Sequence, residues 1–255
     1  MASTAPVKDV PPRVPAQDPA GERRFLRGPQ PRSSELWRTI RIGMEFIKGF
    51  RKLHFVGPCV TVFGSARFPE GHPYYAVARD VGRRLAEAGF TVMTGGGPGL
   101  MEAANRGAKE AGGYSVGCNI KLPAEQEANR YLDTLVDFEH FYVRKVMLVK
   151  YSYAFVVLPG GFGTMDEVFE TATLIQTAKI QDFPIVLMCS DFWQPLFDFM
   201  LERLVREGTV DERDLQLLHL TDSADEAVAE IRDVAVKQFG LTYGPQPKRR
   251  WILRE

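Results

Sequence analysis

Glu167 closes the run Pro159-Gly160-Gly161-Phe162-Gly163-Thr164-Met165-Asp166-Glu167. Its spacing from Thr164 is that of a capping box, in which the acid reaches back to the start of its own helix. The same spacing also suits a carboxylate one turn into a helix, beside a glycine loop and facing a ligand cleft. A fixed carboxylate there can stabilise developing positive charge or activate water. Both readings stay open on these residues alone. Asp166 and Glu170 are nearby acids. Glu170 lies one turn further on, while Asp166 points about 100° away around the helix. Upstream, Arg144 and Lys145 begin a helical stretch. Such residues usually sit on the surface. As functional groups they could grip a phosphate or a base, and arginine offers the planar fork.

Glycine-containing loops recur at Gly64-Ser65, Gly95-Gly96-Gly97-Pro98-Gly99 and Gly160–Thr164. Glycine lets a backbone approach a ligand closely and adopt positive φ. Exposed amides followed by a helix N-terminus form an anion site. Two glycine clusters after strands point to a phosphate ligand. Neither is a P-loop, because no G-x-x-x-x-G-K-[ST] sequence occurs. Neither is G-x-G-x-x-G, because Gly97-Pro98-Gly99-Leu100-Met101 leads to Glu102. A mononucleotide suits these loops better than an extended dinucleotide. His54, His72, His140 and His219 form no HxxxH or HExxH pair, so a metal site is not expected. Cys59, Cys118 and Cys189 are odd in number and far apart, which argues against a disulfide framework. They read as small buried apolar residues.

The elements that must position these groups alternate along the chain. Apolar runs at Cys59–Phe63, Phe90–Thr94, Ser115–Ile120, Leu135–Phe138, Ala154–Leu158 and Pro184–Met188 read as strands. Helical patterns fall between and after them, at 74–88, 100–110, 141–150, 165–178, 193–206 and 224–238. Continuous rather than alternating apolar runs mark strands covered on both faces. The fold class is therefore α/β: a Rossmann-like, doubly wound parallel sheet with helices on both faces. In such a sheet, ligands bind beyond the carboxyl ends of the strands, where all three glycine loops lie.

An N-terminal helical extension precedes the sheet. Leu36, Ile40, Met44, Ile47 and Phe50 recur at helical spacing, with Ser33 or Ser34 as the expected cap. Arg38, Arg41, Lys48, Arg51 and Lys52 make another side basic. This helix is expected to pack on the main domain or on a second subunit. The organisation is thus a disordered tail (1–32), a helix (33–54), a nucleotide-binding catalytic domain (55–240) and a C-terminal tail (241–255). Of the 17 prolines, seven lie in the first tail, where too few apolar residues exist to offset ordering entropy. With 32 basic against 32 acidic residues, no global field points to nucleic acid or an anionic membrane. No apolar run approaches the roughly 20 residues that span a bilayer. A cytoplasmic location is the expectation.

The run Pro159–Glu167 matches PGGxGTxxE, and the chain resembles the Lonely Guy (LOG) family, the cytokinin riboside monophosphate phosphoribohydrolases. The Arg144-Lys145 pair and the Gly95-Gly96-Gly97-Pro98-Gly99-Leu100-Met101-Glu102-Ala103-Ala104-Asn105 segment extend the resemblance over residues 55–240. The residues ahead of Cys59, and Glu102 where short members have glycine, place the chain in a longer bacterial-type branch. The resemblance implies hydrolysis of N6-modified AMP to free base and ribose 5-phosphate, without metal or organic cofactor. It implies a homodimer or higher homo-oligomer. Arg144 and Glu167 become the catalytic pair. Gly64, Ser65, Gly96, Gly97, Gly99, Glu125, Lys145, Gly160, Gly161, Gly163, Thr164 and Thr173 become substrate contacts. Family members were long labelled lysine decarboxylases, but no pyridoxal phosphate site is evident in the sequence. Two other functions fit the same residues less closely. One is a broad-specificity nucleoside monophosphate nucleosidase. The other is a non-catalytic nucleotide or cofactor carrier, a class that can keep the glycine loops without the Arg/Glu pair.

Overall fold

Seven strands pair in parallel in a computed structural model, which describes residues 28–29, 31–122, 127–180 and 183–239. The elements, in chain order, begin with α1 (Arg32–Leu53), β1 (Cys59–Phe63), α2 (Pro73–Glu87), β2 (Thr91–Thr94) and α3 (Leu100–Glu110). Then come β3 (Ser115–Ile120), β4 (Thr134–Phe138), α4 (Phe141–Lys150), β5 (Ser152–Val157) and α5 (Phe162–Gln176). The chain continues with β6 (Ile185–Met188), α6 (Ser190–Phe199, running on as a π-helical turn over Met200–Val205), α7 (Glu212–Leu215), β7 (Leu218–Thr221) and α8 (Ala224–Phe239). Sheet order is β4-β3-β2-β1-β5-β6-β7. The chain winds outward from β1 in one direction, then returns to β5 and winds in the other. The reversal between β1 and β5 is the topological switch point where such folds form their ligand crevice.

Burial on both faces explains why β1 is apolar apart from Thr61, whose hydroxyl pairs with Ser152 Oγ at 2.6 Å. Cys59 and Phe63 face one layer, which holds Leu53 of α1, Met147 of α4, Val168 of α5 and Trp193 of α6. Val60 and Val62 face the other, with Leu85 of α2, Leu100 of α3 and Ile231 of α8. Both faces are dry, so a polar side chain is tolerated there only when it is paired. Helices α2 and α3 approach backbone to backbone. A Cβ on Gly82 would lie 2.0 Å from the Ala104 carbonyl oxygen, so only glycine fits. All three cysteines are buried free thiols, and burial pushes each thiol's pKa up.

The structure differs from the sequence reading in several places, the unexpected short helix α7 among them. Helix α1 starts at Arg32 with Pro31 at its cap position, and neither Ser33 nor Ser34 caps it. Strand β7 was not expected. Leu218-His219-Leu220-Thr221 is short, and its exposed His219 breaks the apolar run, as an edge strand permits. Of the two readings left open for Glu167, the capping box at Thr164 does not form, as described below. Most of the expected tails and Glu125 lie outside the described residues. Among the described residues, no helix is long and apolar enough to cross a membrane.

Candidate active site

The glycine loops meet at the carboxyl edge of the switch point. The Ser65 amide donates to the Pro159 carbonyl at 3.0 Å, joining the loops after β1 and β5. The Leu100 amide donates to the Ser65 carbonyl at 3.0 Å, joining the loop after β1 to α3. Gly99 makes that approach possible. It has φ +71°, and a Cβ there would lie 2.6 Å from the Ser65 carbonyl oxygen. Gly64 is equally tight, with an added Cβ falling 2.8 Å from the Leu100 side chain.

The Gly95–Gly99 loop is held from within by a buried polar network. Thr94 Oγ1 donates to Asn105 Oδ1 at 2.6 Å and accepts from the Gly96 amide at 2.9 Å. Asn105 Nδ2 donates to Ser115 Oγ at 2.8 Å. Asn129 donates from Nδ2 to the carbonyls of Gly96 and Gly97 and to Asn105 Oδ1, at 3.0–3.2 Å. Every polar group here is satisfied, which fixes the loop. Gly96 is therefore part of the scaffold, with its own amide committed to Thr94. Sequence reasoning missed this role for Asn105 and Asn129. Asn105 carried a signal, an asparagine inside an apolar helical stretch. Asn129 carried none, because its surroundings have no periodicity.

Arg144 lies in the second turn of α4, which follows β4 and so starts at the same edge. Its Nε donates to the Cys118 carbonyl of β3 at 2.8 Å. Its guanidinium rests against Gly95, where a Cβ would lie 2.6 Å from Nη2. A side chain at position 95 would displace the arginine.

Glu167 is 4% exposed. Helix α5 begins at Phe162 with Gly161 as its cap residue and no side-chain cap. Thr164 is thus inside the first turn, and Glu167 lies beyond reach of the helix start. This removes the capping reading for a simple reason. The Gly160-Gly161 pair lets the chain turn earlier than Thr164. Thr164 instead packs on Gly160, where a Cβ would fall 2.1 Å from its Oγ1. Among the described residues, Glu167 Oε2 is buried with no hydrogen-bond partner. Burial pushes the carboxyl up to about 7, against the opposing pull of Arg144 and Lys145, while Glu170 and Asp166 add to the rise. In turn, burial lowers the Arg144 pKa and the charge of Glu167 resists that change. The two groups form an electrostatic pair at the mouth of the switch point.

Gly161 and Gly163 are exposed, with open space where a Cβ would point. The Thr164 and Met165 amides donate to the Gly161 carbonyl at 3.0 Å. The amides before them have no acceptor within the helix, which leaves this turn suited to an anion. Lys145 is committed elsewhere, forming ion pairs with Asp166 at 2.8 Å and Glu170 at 2.7 Å. The two acids near Glu167 in sequence, Asp166 and Glu170, thus serve to join α4 and α5. Thr173 is exposed two turns beyond Glu167, and its hydroxyl donates to the Phe169 carbonyl of its own helix.

Comparison with known proteins places this arrangement. A family model described as "Possible lysine decarboxylase" matches residues 101–231. The cytokinin riboside 5'-monophosphate phosphoribohydrolase of Mycobacterium tuberculosis is 31% identical over 182 residues, which cover 69% of this chain and 95% of that protein. The cytokinin riboside 5'-monophosphate phosphoribohydrolase LOG of Oryza sativa is 28% identical over 202 residues, covering 78% and 82%. Among solved structures, the molybdenum cofactor carrier protein of Chlamydomonas reinhardtii shares the fold at a TM-score of 0.53 and 24% identity, covering 70% of this chain and 98% of that one. The chain belongs to the Lonely Guy (LOG) family, to which the lysine-decarboxylase model corresponds.

Proposed function

We propose that the protein hydrolyses the N-glycosidic bond of a nucleoside 5'-monophosphate, with N6-modified AMP as its substrate class. The products are the free base and ribose 5-phosphate. One observation carries this reading: a buried carboxylate oxygen on Glu167, without a hydrogen-bond partner, paired in charge with Arg144 beside an open helix N-terminus. The names of the relatives in Mycobacterium tuberculosis and Oryza sativa support the same chemistry.

Cleavage at C1' builds positive charge on the ribose ring, as in glycoside hydrolysis generally. Glu167 faces that charge in its ionised form. At about 4 Å and an effective dielectric near 20, one carboxylate contributes on the order of 4 kcal/mol, or about a thousandfold in rate. The C1'–N bond breaks and its electron pair leaves with the base. Water oxygen bonds to C1', and its proton passes to Glu167. Arg144 orients the base and balances its negative charge as it departs. The base then takes up a proton from solvent, and Glu167 returns its proton to solvent to close the cycle. The amides opening α5, with Gly160, Gly161, Gly163 and Thr164, hold the phosphate. Remote binding then positions the scissile bond. Gly64, Ser65, Gly97 and Gly99 shape the wall opposite. The enzyme acts as a cytoplasmic homo-oligomer. Its free buried thiols suit a reducing compartment, and the exposed apolar stripe on α1 suits a second copy.

The test is ribose 5-phosphate release from AMP, GMP, CMP and isopentenyl-AMP. Preference for the N6-modified nucleotide is expected. Comparable rates on all four would make the protein a broad nucleosidase, and no release from any would reject hydrolysis. Glu167→Gln should lose about 10²–10³-fold in kcat while nucleotide binding survives. Arg144→Ala should weaken both binding and rate, and unchanged steady-state constants would remove it from the site.

A further inference from the structure

Strand β4 lies at one edge of the sheet, and α1 covers it. Lys48 Nζ donates to the Asp137 carbonyl at 2.8 Å, and Lys52 Nζ to the Leu135 carbonyl at 3.0 Å. Those are alternate residues of β4, whose carbonyls face away from the sheet. One turn earlier, the same helix sends Glu45 to the start of α4. Glu45 Oε1 accepts from the amides of Glu139 at 2.6 Å and His140 at 3.2 Å. Glu45 Oε2 meets His140 Nδ1 at 2.6 Å. Both side chains are buried, 9% and 3% exposed.

His140 is the cap residue of α4, and its own side chain does not cap the helix. Glu45 does so from another element, placing a carboxylate where the helix dipole favours negative charge. The His140 carbonyl then accepts the Arg144 amide at 3.2 Å. Only one helical turn separates the contact with α1 from Arg144. A second contact fixes the same helix pair. Gly49 of α1 lies so close to Met147 of α4 that a Cβ would sit 2.9 Å from its Sδ.

We propose that Glu45, acting with His140, is a positioning residue for Arg144. The N-terminal helix holds the first turn of α4 so that the guanidinium seats on Gly95 opposite Glu167. This rests on the role given to Arg144 above. It assigns the extension a part in catalysis, beyond covering a sheet edge.

A double-mutant cycle on the full chain tests it. Glu45→Ala should lower kcat/KM about tenfold or more, weakening binding and rate together as the loss of Arg144 does. In an Arg144→Lys background, the same substitution should cost less than about twofold, because residues acting through one another are non-additive. Equal losses in both backgrounds, or no loss in the wild-type background, overturn the proposal. Glu45→Gln keeps the length and one acceptor oxygen. It is the second variant should Glu45→Ala not fold, with a smaller loss and the same non-additivity expected.

Amide hydrogen exchange without nucleotide separates this proposal from the hydrolase reading. Either Glu45 variant should speed exchange at the amides of Glu139, His140 and Arg144 by about tenfold or more while the amides of β5 keep wild-type protection. Uniform acceleration throughout the sheet, or none at α4, overturns it. A wild type inert on every nucleotide rejects the hydrolase reading, and the exchange result then decides the positioning contact alone.

Discussion

Glu167 is the residue on which chemistry and stability pull in opposite directions. Its carboxyl is raised from 4.5 to about 7, chiefly by burial. If the ionised form does the work, kcat/KM rises with pH through about 7 and levels off above it. A rate that is flat from pH 5 to 8 would exclude Glu167 as the titrating group. The fold responds with the other sign. An acid whose folded pKa lies above its unfolded value binds more protons when folded, so stability falls as pH rises from about 4.5 to about 7. Glu167→Gln mimics the protonated form. It should therefore be more stable than wild type at pH 8, by about 3 kcal/mol at most given that shift. The difference should vanish near pH 4. Thermal melts across that range check it, and a variant less stable than wild type at pH 8 refutes the burial argument. The identity of this acid was legible in the run Pro159–Glu167, but its freedom was not. Thr164-x-x-Glu167 fits a capping box, and only the start of α5 at Phe162 shows that Glu167 sits too far in to close one.

At the scale of elements, the glycines divide into those that seat a neighbour and those that leave room for a ligand. Gly95 belongs to the first kind. A methyl group there falls on the Arg144 guanidinium and on Met101 Sδ, at 2.6 and 2.7 Å. Gly95→Ala should behave like Arg144→Ala, weakening nucleotide binding and turnover together, with a stability loss of about 1–3 kcal/mol from overpacking. Gly161 belongs to the second kind, with nothing within 4 Å of an added Cβ. Gly161→Ala should leave the melting temperature close to wild type and raise KM, because the crowding falls on the ligand alone. A Gly95→Ala enzyme with wild-type constants would show that Arg144 does not need its seat. The sheet itself was largely legible, since burial on both faces forces the apolar runs of β1, β2, β3, β5 and β6. Strand β7 was not, because an edge strand tolerates an exposed histidine within its four residues. The polar network of Thr94, Asn105, Ser115 and Asn129 was not legible either. Its members are far apart in sequence, and buried polar groups reveal themselves only through their partners.

For the whole molecule, helix α1 joins the catalytic domain to its surroundings. One side of it packs on the domain through Ile42, Phe46 and Leu53. Another side presents Leu36, Trp37, Ile40, Met44 and Ile47 to solvent, with Trp37 70% and Leu36 62% exposed. Sequence periodicity marked the stripe of Leu36, Ile40, Met44, Ile47 and Phe50, which lies exposed, and missed the side that packs on the domain through Ile42, Phe46 and Leu53. A contiguous apolar stripe of this kind is costly on a monomer. Fully burying such side chains contributes roughly 1.5–3 kcal/mol each. Their sum is comparable to the roughly 4–15 kcal/mol cost of association, so pairing through α1 is feasible but depends on nearly every residue of the stripe. A second copy is the natural occupant under the proposed homo-oligomer, because a two-fold axis lets one stripe cover its equivalent. Met44→Glu places a charge in the middle of the stripe while leaving Glu45 and the inward side untouched. Light scattering should show the wild type as an oligomer and Met44→Glu at a lower mass, with the melting temperature then dependent on concentration only for the wild type. If Met44→Glu keeps the wild-type mass, the copies associate elsewhere. A wild type that runs as a monomer at tens of micromolar would withdraw the assembly altogether.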